Sequence, residues 1–373
     1  MTVLRRVTIA GGRAPCSRAF AGVHELPNGD LLVGYRRGAD HLVTDDGAVM
    51  TLRSRDGGRT WGEPSAVFAV PGWDCGGGNR IAEYPDGSLA MFVLKARWRK
   101  EAGRTVKAAD PASLPDRIHT LMALREAHSY VTQSRDGGRT WGDLSPEIRL
   151  FGDWTEVAAS GQVHVLDDGR WMIPAYGSDG PGQRTYTIAA FSHDGGSTWP
   201  EQSIIAADPG IDFHEASFLR RRDKGCLVVI RSQGPPAELY RSWSLDEGRT
   251  WSPPARTGLR GHAPALLRLR SGAILCAYRD REPDRPGVSY AVSEDEGASW
   301  HYRGRLYRAR HWNCGYPSLA RLRGGEILCV YYTSYGKAGS EIRGLLLSDN
   351  TGRSTPDSAD APDRPPSTTA VAY

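Results

Sequence analysis

Short apolar and aromatic runs alternate with polar turns along the chain, and one strand–turn–strand pattern occurs six times. Each copy has a polar tip that ends in glycine, followed by a run rich in β-branched and aromatic residues, as in "LPNGDLLVGY" and "LRGGEILCVYY". Such a tip followed by such a run is typical of a β-hairpin. The six copies occupy residues 26–35, 84–93, 166–176, 222–231, 269–278 and 322–332. The pattern predicts an all-β protein.

A second motif, S-x-D-x-G-x-[TS]-W, recurs in phase with the hairpins at a step of about fifty residues, with one longer interval. The full copies lie at 54–61, 134–141, 192–199, 244–251 and 293–300, and "SDNTGRS" at 348–354 is a degenerate sixth copy. Glycine with short polar residues predicts a tight turn in which serine and aspartate oxygens accept hydrogen bonds from backbone N–H groups. The tryptophan should pack beneath this turn. We call these segments motif turns, and their repetition indicates a repeat protein.

The repeats divide the chain into six units, each long enough for a four-stranded antiparallel sheet. One such sheet cannot bury both faces by itself, whereas radial stacking buries them and leaves no long open edge. The sequence therefore predicts a six-bladed β-propeller over residues 1–350, with the motif turns outside, between third and fourth strands. An insertion at about 94–130 should begin as a basic loop and contain one helix from Ser113. Residues 351–373 should form a flexible tail.

Composition excludes several functional classes. The net charge is only +4 and no basic face is concentrated in the sequence, so we expect no nucleic-acid partner. No apolar run approaches the roughly 20 residues of a membrane span, and the amino terminus lacks a signal-like apolar segment, so we expect a cytoplasmic protein without a membrane partner. The six cysteines and ten histidines show no metal-type spacing, so we expect reduced thiols, no metal and no cofactor.

Catalytic groups should lie where equivalent positions differ between units, because a turn repeated in every unit is a structural device. In a propeller the starts of the innermost strands line the channel mouth, about ten residues before each hairpin glycine. The polar residues at this level are Arg18, Asp74, Asn79, Arg80, Glu156, Gln162, Glu215, His262 and Tyr316. Convergent polar groups in a concavity predict a ligand site. All but five of the 47 basic residues are arginine, which favours bidentate binding of a carboxylate.

The motif turns resemble the Asp-boxes of the sialidase (neuraminidase) superfamily, and with the six units the resemblance covers nearly the whole chain. The segments "SRAF", "HEASFLRR" with "VIRS", "AYRDREPDRPGVSYAV" and "GYPSLARLRGGEILCVYY" resemble those that carry the family's three arginines, glutamate and nucleophilic tyrosine. The resemblance implies a six-bladed propeller. It also implies an exo-acting retaining glycoside hydrolase that cleaves a terminal acidic, sialic-acid-like sugar.

The resemblance implies a role for each matched residue. The catalytic set is Tyr316 as nucleophile, Glu215 as its base and Asp46 as general acid/base. The substrate-binding set is Arg18, Arg37, His41, Arg231, His262 and Arg281. Guanidinium groups can hold the substrate carboxylate, and a neutral tyrosine is not repelled by that carboxylate as an anionic nucleophile would be. We expect the neighbouring arginines to lower the pKa of the Tyr316 phenol.

Several assignments stay open at this stage, as does the oligomeric state. The alternatives are Arg13 for Arg18, Arg279 or Arg285 for Arg281, and Asp45 or His41 for Asp46. The same pocket could serve another glycoside or a lyase reaction. A non-catalytic carbohydrate-binding propeller is the third hypothesis, but such a scaffold has no need of a Glu215–Tyr316–Arg231 group at the channel mouth.

Overall fold

The computed structural model describes residues 1–12, 16–41, 44–98, 100–101, 104–105, 125–151, 154–179, 184–234, 237–284, 286–336 and 339–349. The regular structure in these ranges consists of antiparallel β-strands, so the predicted all-β class is confirmed. The predicted insertion helix, the predicted flexible tail, Arg13 and Arg285 lie outside these ranges. Within them, no helix is long and apolar enough to cross a bilayer.

In each of the first three large sheets, neighbouring strands follow one another along the chain. The first strand of each sheet, or a pair of short strands in its place, precedes one of the six predicted hairpin turns. The first contains β2 (Ser17–Glu25), β3 (Leu31–Gly38), β4 (Ala48–Ser54) and β5 (Ser65–Ala69). The second contains β6 (Asp74–Gly76) and β7 (Ile81–Glu83), both paired with β8 (Leu89–Trp98), and then β11 (Arg125–Ser134). Strands β9 (Lys100–Glu101) and β10 (Arg104–Thr105) form a small hairpin. The third contains β12 (Thr155–Ala159) and β13 (His164–Val165), both paired with β14 (Trp171–Ser178), and then β15 (Tyr186–Ser192) and β16 (Glu201–Ala206).

A seven-stranded sheet follows, and a last sheet joins the two ends of the described chain. The seven strands are β17 (Asp212–Arg220), β18 (Cys226–Gln233), β19 (Glu238–Ser244), β20 (Ala255–Arg268), β21 (Ile274–Asp280), β22 (Gly287–Ser293) and β23 (His301–Arg308). Residues 255–260 of β20 pair with β19, whereas residues 261–268 pair with β21. The last sheet contains β24 (Cys314–Arg321), β25 (Ile327–Ser334) and β26 (Ser340–Leu347), with β1 (Val3–Ala10) paired to β26.

The start of the predicted insertion differs from the expectation. Residues 94–98 do not form a basic loop, because strand β8 continues to Trp98 and pairs with β11 along its whole length. This extended hairpin lets Lys95 and Arg97 lie over the ring of Trp73, at 4.7 and 4.1 Å from its centroid.

The motif turns have the predicted structure. The Oγ of Ser54 accepts a hydrogen bond from the N–H of Gly58 at 2.8 Å, and Oδ1 of Asp56 accepts one from the N–H of Thr60 at 2.9 Å. The same two bonds recur in the other four full motif turns. Each closing tryptophan packs against a different hydrophobic cluster, which confirms its predicted place beneath the turn.

The hydrophobic core lies between successive sheets. Leu32 of the first sheet packs with Met91 of the second in one cluster, and Val33 of the first sheet packs with Val330 of the last sheet in another. The remaining clusters likewise draw their members from two neighbouring sheets or from the two halves of the seven-stranded sheet. Stacking face to face therefore buries apolar residues on both faces of a sheet, and several first strands contact one another, as β17 does β20 and β20 does β24.

Candidate active site

Four first strands bulge at the same point of the repeat. In each strand, the bulge lies five residues before the last residue that pairs with the second strand at the hairpin turn. The register of strand pairing shifts at this bulge in all four strands. The four residues at this point are Phe20, Glu215, Ala263 and Tyr316. Three of them have a left-handed backbone, with φ of 56° at Phe20, 47° at Ala263 and 49° at Tyr316. A bulge redirects a side chain from the plane of the strand, and here it sets Glu215 and Tyr316 at one level.

The second strands supply a matching ring of residues. Five residues after the base of the hairpin, the positions are Arg36, Tyr176, Arg231, Arg279 and Tyr332. Three of these side chains reach Tyr316, because Arg231 bonds to its oxygen and Arg279 and Tyr332 lie beside its ring. The sequence analysis assigns a role to Arg231 and names Arg279 as an alternative to Arg281.

Glu215, Tyr316 and Arg231 form one hydrogen-bonded group. The phenol of Tyr316 donates to Oε1 of Glu215 at 2.6 Å, so the predicted contact between them is present. Nη1 of Arg231 lies 3.1 and 2.9 Å from the two Glu215 oxygens and 2.9 Å from the Tyr316 oxygen. The side chains of Arg231 and Glu215 are only 11% and 14% exposed. This geometry joins a hydroxyl, an acceptor for its proton and a cation in one buried group.

Electrostatics fix the charge states of this group. Burial raises the pKa of Glu215, but Arg231, His214 and the Tyr316 hydrogen bond outweigh it and hold that pKa at about 2. The pKa of Tyr316 is raised well above its ordinary value by burial and by the Glu215 charge, against the opposing effects of Arg231 and Arg279. The expectation of a lowered phenol pKa is therefore wrong, because desolvation and the carboxylate dominate. At neutral pH the pair consists of a carboxylate and a neutral phenol.

The arginine beside Tyr316 is Arg279, and not the predicted Arg281. Arg279 is 7% exposed, its guanidinium carbon lies 5.1 Å from the Tyr316 ring centroid, and Nη2 donates to the phenol oxygen of Tyr332. Tyr332 in turn donates to Oδ1 of Asn313 at 2.7 Å. Arg281 follows the end of β21 and is exposed. The structure thus places Arg279 rather than Arg281 against the tyrosine, although Arg281 is near enough for Arg279 and Arg231 to lower its pKa after burial.

Two other predicted arginines are not brought into the group. Nη1 of Arg18 donates to the carbonyl oxygen of Ser340 at 3.2 Å, and no hydrogen bond or ion pair in the described ranges connects it with the Tyr316 group. Arg37 is exposed on β3. Its neighbour Arg36 is buried and donates to Oδ1 of Asp74 at 2.7 Å. Alternate residues of a strand face opposite sides, so Arg36 and not Arg37 can line the mouth.

The predicted general acid is also poorly placed. Asp46 is exposed, and hydrogen bonds from Ala39 and Thr44 with the Arg36 charge outweigh burial and lower the pKa of Asp46. Asp45 is exposed as well. The ring of His41, by contrast, lies 5.0 Å from Phe20 and 5.4 Å from Tyr332, beside the aromatic wall of Tyr316.

Two histidines near the group, His41 and His262, are neutral at physiological pH. Burial, then Arg279 and Arg36, lower the pKa of His41 to about 3. Burial, then Arg231 and Arg279, hold the pKa of His262 well below its ordinary value, so His262 lies within electrostatic reach of these arginines. His214 stacks on Tyr176 with ring centroids 4.9 Å apart.

A cavity of about 430 Å³ runs along the first strands from the Glu215–Tyr316 level to Asp167 and Arg220. Asn79 and Gln162 line it, whereas the side chain of Glu156 lies outside the described residues. No cluster of histidine, cysteine or carboxylate side chains in the ranges given above is arranged to hold a metal ion.

Sequence reasoning named Arg279 only as an alternative to Arg281, assigned no role to Arg36, and did not name Tyr176 or Tyr332. Their common signal is their spacing, because each lies five residues after the start of its hairpin's second strand. Counting from that strand start would have found Arg279, and it also gives Arg231, which the family resemblance implied. In the hairpin turn after β17, the left-handed tip residue is Lys224, with φ of 66°, and not Gly225. A count from Gly225 is therefore one residue too long in this unit.

Comparisons with known proteins agree with this architecture. A family model described as a BNR repeat-like domain matches residues 154–329. A sialidase from Micromonospora viridifaciens is 25% identical over 238 residues, covering 61% of this chain but only 34% of that protein. An exo-alpha-sialidase from Aspergillus fumigatus is 24% identical over 319 residues, covering 80% of this chain and 66% of that protein.

Solved structures share the fold. A variant of the NanB sialidase from Streptococcus pneumoniae superposes with a TM-score of 0.66 at 15% identity, covering 92% of this chain and 70% of that one. An alpha-L-arabinanase from Penicillium chrysogenum, solved with arabinobiose, gives a TM-score of 0.65 at 13% identity, with 94% and 99% covered. The repeat-family match, the two sequence relatives and the recurring Asp-box turns together support a relationship of this chain to the sialidase superfamily.

Proposed function

We propose that this protein is an exo-acting retaining glycoside hydrolase that removes a terminal acidic sugar, with Tyr316 as nucleophile and Glu215 as its base. The observation that carries the proposal is the 2.6 Å hydrogen bond from the Tyr316 phenol to Glu215, with Arg231 bonded to both groups. A hydroxyl hydrogen-bonded to a base that is itself oriented by a third group is the arrangement that nucleophilic catalysis needs.

The chemistry follows from the charge states. In the first step the Tyr316 oxygen bonds to the anomeric carbon, its proton passes to Glu215, and the bond to the leaving oxygen breaks as that oxygen takes a proton from the general acid. In the second step water attacks the same carbon and gives its proton to the deprotonated general acid, and the phenol leaves and recovers its proton from Glu215. Two displacements at one carbon retain its configuration. Arg231 donates to the tyrosine oxygen and stabilises the negative charge that develops on it in both steps.

An acidic substrate is supported by the balance of charge at the mouth. Arg231 and Arg279 lie at the tyrosine, Arg36 belongs to the same ring, and the carboxylates that face them are Glu215 and Asp74. His41 and His262 remain neutral. An excess of guanidinium in a partly desolvated concavity attracts an anion more strongly than it would in water.

The six-bladed architecture belongs to the same proposal. If β20 is divided between Arg260 and Gly261, where its pairing partner changes, the seven-stranded sheet becomes two four-stranded blades. The hydrophobic clusters then link each blade with the next, and the cluster of Val33 and Val330 links the last blade with the first. This closed succession supports a ring of six.

A neutral-glycoside hydrolase is the second candidate. Arg18 is bonded to Ser340 instead of joining Arg231, so the three-arginine set implied by the family resemblance is not assembled. The Penicillium arabinanase, solved with the neutral disaccharide arabinobiose, shares the fold. This candidate keeps the Tyr316–Glu215 pair and changes only the sugar.

A panel of chromogenic glycosides separates the candidates. We expect turnover of sialosides or uronosides, with the first-formed anomer retained in time-resolved proton NMR, and no turnover of arabinofuranosides. Turnover confined to arabinosides would favour the second candidate and contradict the first. Binding of free sugars without turnover of any member would indicate a carbohydrate-binding propeller.

A further inference from the structure

Arg80 stands in an unusual part of the second sheet. The first strand of that sheet is interrupted between β6 and β7 instead of bulged, and the segment GGGNR at residues 76–80 fills the gap. The N–H of Arg80 donates to the carbonyl of Gly77 at 3.0 Å, and its carbonyl accepts from the N–H of Phe92 at 3.0 Å. The backbone of Arg80 is therefore fixed at both ends of the residue.

Close backbone packing against the first sheet holds the segment in place. A Cβ atom at Gly34 would lie 1.9 Å from the carbonyl oxygen of Gly78, and one at Gly22 would lie 2.5 Å from Cα of Asn79. No side chain larger than hydrogen fits at either contact. The chain thus uses glycine on two strands to bring the segment, and Arg80 with it, against the first sheet at the channel centre.

The guanidinium of Arg80 lacks acceptors. Its Nε and Nη1 atoms are buried, and neither has a hydrogen-bond partner in the described part of the chain. Burial lowers the pKa of Arg80 to about 10, with Tyr176 and Glu215 acting in the opposite direction, so the cation lies within electrostatic reach of the catalytic carboxylate. The other buried arginines around the mouth each have an acceptor, namely Asp74 for Arg36, Glu215 for Arg231 and Tyr332 for Arg279.

A buried cation without an acceptor is costly in the free protein, because its water has been removed and no hydrogen bond replaces it. Such a group is stabilised when an anion enters, and an arginine can meet a carboxylate with two parallel bonds. Arg18 is occupied by Ser340 and Arg281 is exposed, so neither takes this place next to Glu215.

We propose that Arg80 binds the carboxylate of the acidic sugar, supplying from the second sheet the guanidinium that the predicted Arg18 and Arg281 do not. The inference rests on the proposed function only for the identity of the ligand as an acidic sugar. It adds a specificity residue that distinguishes carboxylate sugars from neutral ones.

The test measures binding and thermal stability of three variants. Arg80→Met keeps an unbranched chain without charge, Arg80→Lys keeps charge without the fork, and Arg135→Met changes an exposed arginine on the motif turn of the same sheet. Calorimetric titrations use N-acetylneuraminate, D-glucuronate and neutral D-galactose. We expect Arg80→Met to weaken binding of whichever carboxylate sugar the wild type prefers by about 10- to 100-fold, Arg80→Lys to weaken it less, and Arg135→Met to leave it unchanged.

Thermal melting separates ligand binding from a structural role. Removing an unpaired buried cation should leave the Tm of Arg80→Met unchanged or raise it, whereas a structural arginine would lower it. Unchanged affinity in Arg80→Met, or a wild type that binds neither carboxylate sugar, would overturn the inference. A shifted acidic limb of the pH–rate profile with unchanged affinity would also overturn it and indicate that Arg80 acts on Glu215. Wild-type binding without turnover would reject the proposed hydrolase and leave the Arg80 inference standing.

Discussion

Replacing Glu215 with glutamine removes one negative charge from the centre of the site and keeps the size of the side chain. Glu215 accepts hydrogen bonds from Tyr316 at 2.6 Å and from Arg231 at 2.9 and 3.1 Å. Both members of the ion pair are nearly buried, and breaking such a pair on one side costs about 3–5 kcal/mol. We expect Glu215→Gln to lower the free energy of unfolding toward the lower end of that range, because the amide oxygen can still accept from Arg231.

The same substitution changes the chemistry of the tyrosine. Burial and the Glu215 charge hold the pKa of Tyr316 high, while Arg231 and Arg279 act against them. In Glu215→Gln the carboxylate contribution disappears and the two arginines remain, so the phenol should ionise at a lower pH than in the wild type. Without an acceptor for the phenol proton, turnover should fall by roughly 10²- to 10⁴-fold.

Three measurements on one preparation test this reasoning. Urea unfolding gives the stability change, ultraviolet difference spectra against pH follow tyrosinate formation, and steady-state kinetics give turnover. Glu238→Gln is the matched control, since Glu238 is also buried and paired with an arginine, Arg256, but has no bond to the Tyr316 group. It should lose stability and keep turnover. Wild-type turnover in Glu215→Gln, or a tyrosine that titrates as in the wild type, would refute the assigned roles.

Three further outcomes follow from the geometry. Arg279→Met should lower kcat/KM for an acidic glycoside by about 10- to 100-fold, and Arg281→Met should lower it much less. The reverse order in steady-state kinetics would show that Arg281, and not Arg279, binds the substrate. Asp136→Ala removes the acceptor of the motif-turn N–H groups and should lower the free energy of unfolding by about 1–2 kcal/mol in urea, and no change would contradict the capping role. Burial lowers the pKa of His164 in the folded protein to about 4. As the pH falls below about 6.5, His164 is therefore protonated in the unfolded chain before it is protonated in the folded protein. Stability should then decline by about 1.4 kcal/mol per pH unit from this residue between pH 6 and 4, and urea melts of His164→Gln should show a shallower decline.

The repeat and the strand content were predictable because their causes are local. A polar tip ending in glycine makes a hairpin, and Ser54, Asp56 and Gly58 satisfy one another within a single turn, so eight residues suffice to recognise each motif turn. The number of sheets could not be predicted from local sequence, because strand β20 pairs first with β19 and then with β21 without a break. Nothing in the residues 255–268 marks that continuity.

The site was predictable where a residue could be counted from its hairpin. Glu215 and Tyr316 were found because they lie about ten residues before their hairpin glycines, whereas Arg231 was implied by the family resemblance. The structure joins all three by hydrogen bonds. Strand alternation cannot separate Arg281 from Arg279, because residues two apart face the same side. The two differ in level, since Arg279 lies five residues after the hairpin base and Arg281 lies beyond the end of β21. The pKa of Tyr316 could not be judged from charge alone, since burial depends on the whole assembly of sheets.

The most direct test of the account is turnover by Tyr316→Phe. The substitution removes one oxygen, and the aromatic contact with Phe20 at 4.9 Å between ring centroids can persist, so the fold should change little. With its best glycoside, the folded variant should lose roughly two to four orders of magnitude in kcat, because no atom remains to form the bond to the anomeric carbon. Wild-type turnover by a variant with a wild-type Tm would show that Tyr316 is not the nucleophile and would contradict the proposed mechanism.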